Sequence, residues 1–193
     1  MPELLIATQN RGKVKEISAF FASVRPDLTC LALADLDPSW NVIENGATFL
    51  ENARKKGIET AKRFGKITLA DDTGLLVDRL DGRPGVYSSR YANSDAEKVE
   101  RLLGELRGIP KEKRTARFEC VMVLAQPDGK TAVETGTVEG TILESPRGTD
   151  GFGFDPVFWI PELQKTLAEI STDEKNRISH RAKALRKIAR HLV

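Results

Sequence analysis

The chain lacks the features that mark a membrane, secreted or nucleic-acid-binding protein. It has only two cysteines in 193 residues, and 30 Lys plus Arg nearly balance 28 Asp plus Glu. Two cysteines cannot build the disulfide framework of a secreted domain, and balanced charge attracts neither nucleic acid nor a membrane surface. The opening apolar run, Leu4 to Ala7, is too short for a signal sequence or a membrane span. We therefore expect a cytoplasmic protein, with reduced, buried thiols at Cys30 and Cys120 and neither nucleic acid nor membrane as a partner.

The pattern of apolar residues predicts one α/β domain over residues 1–193. Short apolar runs at Leu4–Ala7 and Thr29–Leu33 indicate strands, and amphipathic stripes after them indicate helices. Thr48 and Ser94 each open a capping box, with Glu three residues later, so two further helices should begin there.

The last third of the chain predicts antiparallel strands and a closing helix. The segment from Arg117 to Leu143 has strand character, and Pro127-Asp128-Gly129 within it has the composition of a hairpin turn. A final helix should pack through Ala182, Leu185, Ala189 and Leu192. The fold class is therefore α/β, with a mixed central sheet flanked by helices.

Two adjacent acidic residues, Asp71 and Asp72, follow the apolar run Ile67–Ala70. We expect that run to be a buried strand, with the pair emerging where it yields to a turn at Gly74. Like charges so close raise each other's pKa unless a cation compensates, and Mg²⁺ bound by one or two carboxylates plus substrate phosphates does so. The pair indicates metal-assisted phosphoryl chemistry; the alternative is an Asp-rich turn or helix cap.

The segment Thr8–Lys13 lies between the first predicted strand and the first helix. Backbone N–H groups and the helix dipole favour a phosphate there, and Lys13 would supply a point charge. It is not a P-loop, because the first glycine of that motif is absent and Val14 occupies the hydroxyl position. An ordinary polar turn is the alternative.

Two later segments could contact a flat, acceptor-rich ligand. In a chain whose residues are only 6% aromatic, Phe152 and Phe154 alternate with glycines, which suits ring stacking, and Asp155 could accept from a base N–H. Farther on, Ser179 can cap the last helix, leaving His180 and Arg181 at its positive end. The alternatives are Phe side chains in the core, a structural histidine and a solvated basic helix face.

The order of these motifs resembles that of the inosine triphosphate pyrophosphatase family. The resemblance spans residues 4 to 185 and is closest to the bacterial members. It is carried by Thr8-x-Asn10-x-x-Lys13, Ala70-Asp71-Asp72-Thr73-Gly74, Pro84-Gly85-Val86-Tyr87-Ser88 with Arg90-Tyr91, Gly151-Phe152-Gly153-Phe154-Asp155-Pro156, and Ser179-His180-Arg181.

The resemblance implies a two-lobed fold around a deep substrate cleft, a homodimer, and Mg²⁺-dependent hydrolysis of ITP, dITP and XTP. Cleavage at the α-phosphorus would yield the monophosphate and pyrophosphate and keep deaminated purines out of DNA and RNA. The implied substrate-binding residues are Thr8, Gln9, Asn10, Arg11, Gly12, Lys13, Lys56, Thr73, Phe152, Gly153, Phe154, Asp155, Lys175, His180 and Arg181. The implied general base is Asp72, and the implied metal ligands are Glu44, Asp71 and Asp72.

The sequence departs from the family pattern at two positions, and the implied base pocket has a consequence for substrate choice. Gln9 replaces a frequent glycine, so that turn cannot depend on glycine conformations, and Thr73 replaces a frequent serine. Donors from Lys175, His180 or Arg181 to a 6-oxo group would reject adenine, whose amino group would face a donor.

Three other classes of protein remain as alternatives. Asp72-Thr73-Gly74 is also the triplet of aspartic proteases, although Asp71 stands where those loops need an apolar residue. An RNA-binding module is suggested by Lys111–Arg114 and the basic last helix, but it lacks interleaved aromatics. Maf-type pyrophosphatases share the broad architecture without the His180-Arg181 pair.

Overall fold

The computed structural model describes residues 1–192, and its strands form one mixed sheet in the order β2-β1-β3-β4-β5-β6-β7. The strands are β1 Glu3–Ile6, β2 Thr29–Ala32, β3 Thr68–Val77, β4 Thr115–Ala125, β5 Thr131–Ile142, β6 Phe158–Ile160 and β7 Lys165–Thr166. β1 pairs in parallel with β2 and β3, whereas β6 pairs antiparallel with β5 and β7. This confirms the predicted mixed sheet and, between β4 and β5, the predicted turn.

Two helices, which follow Thr48 and Ser94, begin where the capping boxes place them. The helices of the structure are α1 Arg11–Val24, α2 Leu33–Leu36, α3 Phe49–Phe64, α4 Asp95–Glu105, α5 Thr172–Ile178 and α6 His180–Ile188. Thr48 accepts from the Glu51 N–H at 3.1 Å, and Ser94 accepts from the Glu97 N–H at 3.2 Å. Each side chain satisfies a backbone donor that the first turn leaves without a helical acceptor. Helix α5 was not predicted, although Ser171 and Glu174 form a complete capping box.

Strand β3 is longer than predicted. The expected strand ended at Ala70 with the acidic pair in a turn, but β3 continues through Gly74 to Val77. Leu75 and Val77 are fully buried, so apolar burial continues beyond the carboxylates and keeps the chain in the sheet. Successive strand residues face opposite sides, so Asp71 pairs directly with Lys13 whereas Asp72 accepts from Asn52.

The chain divides into two compact units. The first comprises residues 1–72, 120–136 and the segment from Arg181 onward; the second comprises residues 73–119 and 137–180. Each unit has its own hydrophobic cluster. In the first, Phe21 and Ile17 of α1 join Met122 of β4 and Leu185 of α6, and in the second Leu102 of α4 is among the buried residues. The predicted substrate cleft stays a prediction.

The described residues also bear on two smaller expectations. Cys120 is buried in the hydrophobic cluster of the first unit, and Cys30 is partly buried against that cluster. No helix within residues 1–192 is long and apolar enough to cross a lipid bilayer.

Candidate active site

The turn before α1 is organised by its own side chains. Asn10 is the N-cap of α1, and its Oδ1 accepts from the N–H groups of Gly12 at 2.9 Å and Lys13 at 3.2 Å. Thr8 Oγ1 accepts from the Asn10 N–H at 3.2 Å. These bonds fix the backbone at the positive end of α1 and start the helix so that Lys13 lies in its first turn.

Two side chains of this turn contact other loops. The Gln9 amide donates to the carbonyl oxygens of Asp37 and Trp40 at 3.3 and 3.1 Å. Arg11 pairs with Asp35 at 2.8 Å on the exposed surface. Among the described residues, the non-glycine residues with positive φ are Asp81 and Gln164, so the turn indeed forms without a left-handed residue at Gln9. The phosphate contacts proposed for Gln9, Arg11 and Gly12 stay predictions.

Asp71 is a buried carboxylate held by cations. Its Oδ2 lies 2.8 Å from Lys13 Nζ and 3.6 Å from an Arg181 guanidinium nitrogen. Burial raises the pKa of Asp71, but Lys13, Arg181 and Lys56 outweigh that effect and hold it well below its usual range. These contacts place Lys13 at the start of α1 and make Asp71 its anchor; the proposed contact of Asp71 with a metal stays a prediction.

Arg181 is among the largest fully buried side chains. Besides Asp71, its guanidinium contacts Glu16 of α1, a carboxylate that is itself only 7% exposed. Burial opposes the charged form of Arg181, yet Glu16 and Asp71 together raise its pKa. The Arg181 side chain therefore fixes Asp71 from α6, and its proposed contact with the base stays a prediction.

Asp72 contacts α3, and its pKa is raised above the usual value. Its Oδ2 accepts from Asn52 Nδ2 at 3.0 Å. Burial raises the pKa of Asp72 to about 6, even though Lys56 and Asn52 favour its charged form, and the charge of Glu44 raises it further. A carboxylate with a pKa near neutrality can act as a general base at physiological pH. This supports the role proposed for Asp72.

Asn52 joins Asp72 to the loop that carries Glu44. Its Oδ1 accepts from the Gly46 N–H at 2.8 Å while its Nδ2 donates to Asp72, so one amide fixes both groups. A Cβ at Gly46 would lie 2.8 Å from Asn52 Oδ1, which explains why glycine stands there. Gly57 brings α3 close to the sheet, because a Cβ there would lie 3.4 Å from that of Ala70.

Glu44 and Lys56 form a partly buried ion pair, and the charge of each acts on Asp72. Lys56 Nζ donates to Glu44 Oε1, and the neighbouring Lys55 bonds Ile43 O at 2.9 Å and Asn45 Oδ1 at 3.0 Å. Burial opposes the charged form of Lys56, but Asp71 and Glu44 outweigh it and raise its pKa. Lys56 is therefore a cation held among carboxylates.

The carboxylates of Asp72 and Glu44 fit a metal that the substrate helps to bind. Within residues 1–192 no three His, Cys, Asp or Glu side chains form a ready metal cage. Mg²⁺ needs no such cage, since it is held by one or two carboxylates, water and substrate phosphates. Glu44 raises the pKa of buried Asp72, so the two carboxylates repel, and a divalent cation would relieve that repulsion.

In the second unit, Asp155 organises a segment that we call the aromatic loop, residues 148–155. Its Oδ2 accepts from the Phe152 N–H at 2.9 Å and from Lys175 Nζ at 2.7 Å. Lys175 Nζ also lies 4.8 Å from the centre of the half-buried Phe152 ring. A ring face beside an ammonium donor suits a flat base with carbonyl oxygens.

The other predicted base-pocket residues have different surroundings. Phe154 is 3% exposed and packs against Tyr91, with ring centres 6.0 Å apart, so its side chain is part of the hydrophobic core. His180 is buried and stacks on Phe118, with ring centres 4.7 Å apart and an interplanar angle of 17°. Thr73 is half-buried on β3, directly after Asp72.

Comparison with known proteins identifies the family. The family model described as the Ham1 family matches residues 4–191. The chain belongs to the Ham1 family. It is 49% identical to the dITP/XTP pyrophosphatase of Geobacillus kaustophilus, covering 97% of this chain and 93% of that protein. The corresponding protein of Bacillus subtilis is 47% identical, with 100% and 98% covered.

A solved structure agrees with this assignment. The Ham1 protein of Staphylococcus aureus superposes with a TM-score of 0.86 at 40% identity, covering 98% of this chain and 97% of that one. The resemblance drawn from the motifs is thus confirmed over nearly the whole chain.

Sequence reasoning missed two residues of this Ham1-family site. Glu16 and Asn52 are polar residues on the buried faces of α1 and α3. Both stand within apolar stripes, at positions where a charge or amide is costly unless it is paired. That mismatch is a signal in the sequence, although it does not reveal the partner.

We expect Asp72→Asn to stabilise the protein in the presence of a metal chelator, in a pH-dependent way. Because burial raises the pKa of Asp72 from 3.8 to about 6, its ionisation costs stability as the pH rises through that range. The variant should gain at most about 3 kcal/mol at pH 8 and nothing below about pH 4. Urea unfolding at both pH values measures this, and an equal effect at pH 4 and pH 8 would contradict the raised pKa.

Proposed function

We propose that this chain hydrolyses deaminated purine nucleoside triphosphates, dITP, XTP and ITP, to the monophosphate and pyrophosphate. The observation that carries the proposal is the buried Asp72 carboxylate, with a pKa raised to about 6 and an orientation fixed by Asn52, beside the Lys56–Glu44 pair. Relatives named as dITP/XTP pyrophosphatases that cover almost the whole chain supply the substrate class.

In the proposed reaction Asp72 orients a water molecule and takes its proton as the water attacks the α-phosphorus. Asn52 holds the carboxylate so that its geometry does not depend on solvent. Lys13 and Lys56 stabilise the negative charge on the polyphosphate and the leaving pyrophosphate. No covalent intermediate with the protein is needed, since the water is the nucleophile.

Mg²⁺ is the proposed cofactor, with Asp72 and Glu44 as its protein ligands. When bound, it would neutralise the phosphate charge and lower the pKa of coordinated water. The number of ions and a role for Asp71 belong to the same proposal. A homodimer and a cytoplasmic location stay predictions from the sequence.

The proposed base selectivity relies on the Phe152 ring and on donors that include Lys175. A 6-oxo purine would stack on the ring and accept from the ammonium group, whereas adenine would direct an amino group at a donor. This chemistry separates deaminated purines from ATP. Discrimination against GTP needs a further element that senses the 2-amino group. Selective removal of such substrates would keep deaminated bases out of DNA and RNA.

Product analysis tests the proposal. The protein incubated with dITP and Mg²⁺ should release dIMP and pyrophosphate, and ¹⁸O-labelled water should place the label in dIMP. Release of dIDP and phosphate would contradict cleavage at the α-phosphorus. Hydrolysis of peptides or salt-dependent RNA binding without nucleotide turnover would favour the alternatives weighed from the sequence.

We expect Glu44→Gln to weaken the use of Mg²⁺ more than the binding of substrate. The amide keeps an oxygen for Lys56 but loses the charge that attracts a cation, so the Mg²⁺ concentration for half-maximal rate should rise about tenfold or more. Glu59→Gln, which removes an exposed carboxylate from α3, is the matched control. An unchanged metal titration would show that Glu44 only anchors Lys56.

A further inference from the structure

The aromatic loop is anchored in the core by Phe154, but another part of it borders open space. Together with α4 it borders a cavity of about 800 Å³, whose walls include Val99 and Leu103 of the helix and Gly148–Gly153 of the loop. Since side chains do not fill that space, the part of the loop beside the cavity relies on its hydrogen bonds more than on packing.

Two consecutive backbone N–H groups of the loop are bound by carboxylates. The Phe152 N–H donates to Asp155 at 2.9 Å, and the Gly153 N–H donates to Asp95 Oδ2 at 2.8 Å. Gly153 has φ +64°, and no atom lies within 4 Å of where its Cβ would be, so glycine is needed there for conformation rather than for space. The direction of the Phe152 side chain depends on this peptide.

Asp95 is well placed for this contact and is not needed as the helix cap. It is the first residue of α4, and the capping contact is made by Ser94. Its other carboxylate oxygen pairs with Lys98 at 3.0 Å. Burial opposes its ionised form, but the Gly153 N–H and Lys98 outweigh this and lower the pKa of Asp95, so the carboxylate stays charged at neutral pH.

We propose that Asp95 is a positioning residue that holds the Phe152 ring for base stacking through its hydrogen bond to the Gly153 N–H. The proposal rests on the proposed function, in which the aromatic loop binds the purine. Asp95 acts through the loop backbone and is not assigned a contact with the substrate. Its effect should therefore fall on base affinity rather than on the chemical step.

Three variants test the role of Asp95. Asp95→Ala should raise KM for dITP about tenfold and leave kcat within about twofold, since a charge-assisted bond of this kind is lost. Asp95→Asn keeps an acceptor oxygen and should recover most of the affinity. Lys98→Ala removes only the ion pair on α4 and should behave like the parent.

Two further measurements separate positioning from general structural damage. The inhibition constant of tripolyphosphate, which has no base, should be unchanged in Asp95→Ala. Amide hydrogen exchange at Gly153 should become faster in that variant and stay near the parent rate in Asp95→Asn. A loss shared by kcat, tripolyphosphate affinity and thermal stability, or an unchanged KM, would overturn the proposal.

The amide exchange also distinguishes failure of this proposal from failure of the proposed function. A parent protein that hydrolyses no nucleoside triphosphate would refute the function and with it the stacking role of Phe152. An unchanged rate of amide exchange at Gly153 in Asp95→Ala would show that the hydrogen bond to Asp95 does not hold the loop, even where the parent hydrolyses dITP normally.

Discussion

Asp72→Asn should lower kcat on dITP and XTP by at least about 10²-fold, the lower end for loss of a general base. The amide retains the shape of the side chain and an oxygen for the Asn52 donor, so the fold and the loop before α3 should persist. What it loses is the basicity that burial gives Asp72, whose pKa is raised to about 6. Steady-state kinetics with saturating Mg²⁺ measure the effect.

The matched control is Asp81→Asn. Asp81 is an exposed carboxylate with φ 54°, a backbone conformation that Asn tolerates well. It makes the same change of charge at an exposed position of the second unit, outside the proposed catalytic residues, and should leave kcat unchanged. Near-normal turnover in Asp72→Asn would remove Asp72 from the mechanism, whereas a loss in both variants would indicate a general effect of charge.

The pH dependence of kcat/KM adds a second check on Asp72. If it is the base, the rate of the parent should rise with pH as Asp72 ionises. A bound Mg²⁺ favours the ionised form, so the midpoint should shift to lower pH as the metal concentration increases. A profile that does not respond to Mg²⁺ would separate Asp72 from the metal site.

Local signals in the sequence predicted the elements that position the site. Thr48 and Ser94 specify helix starts through side-chain acceptors only three residues from their donors, and such short-range chemistry is visible in one dimension. The apolar runs gave β1 and β2 to within one residue at each end. The motif order also identified the family, because it depends on spacing and not on tertiary contacts.

The partners of the two carboxylates could not be predicted in the same way. Asp71 and Asp72 both feel the charges of Lys13 and Lys56, but within β3 they form their closest contacts with different residues. Asp71 meets Lys13 and Arg181, which come from distant parts of the chain, while Asp72 meets Asn52. Only the packing of α1, α3 and α6 around β3 creates those pairs, and they cannot be predicted from local patterns in a single sequence.

The contacts of the buried Arg181 with Glu16 and Asp71 lead to the last expectation. In Arg181→Ala, Glu16 and Asp71 lose the guanidinium that compensates two buried charges, and breaking such a pair costs about 3–5 kcal/mol. Activity measured at low temperature on protein that remains folded should fall by similar factors for dITP, XTP, GTP and ATP. The reason is that a displaced Asp71 would also displace Lys13, which is proposed to contact phosphate in every substrate.

Two comparisons make this expectation decisive. Arg190→Ala, which removes an exposed arginine from the same terminal segment, should change neither stability nor activity. Replacing the buried pair by Glu16→Gln with Arg181→Met should recover part of the lost stability, since it removes one of the uncompensated charges. Urea unfolding and kcat/KM on the four nucleotides measure both effects. A loss confined to XTP and dITP, with unfolding unchanged, would instead mean that Arg181 recognises the oxo groups of the base, as the resemblance implies.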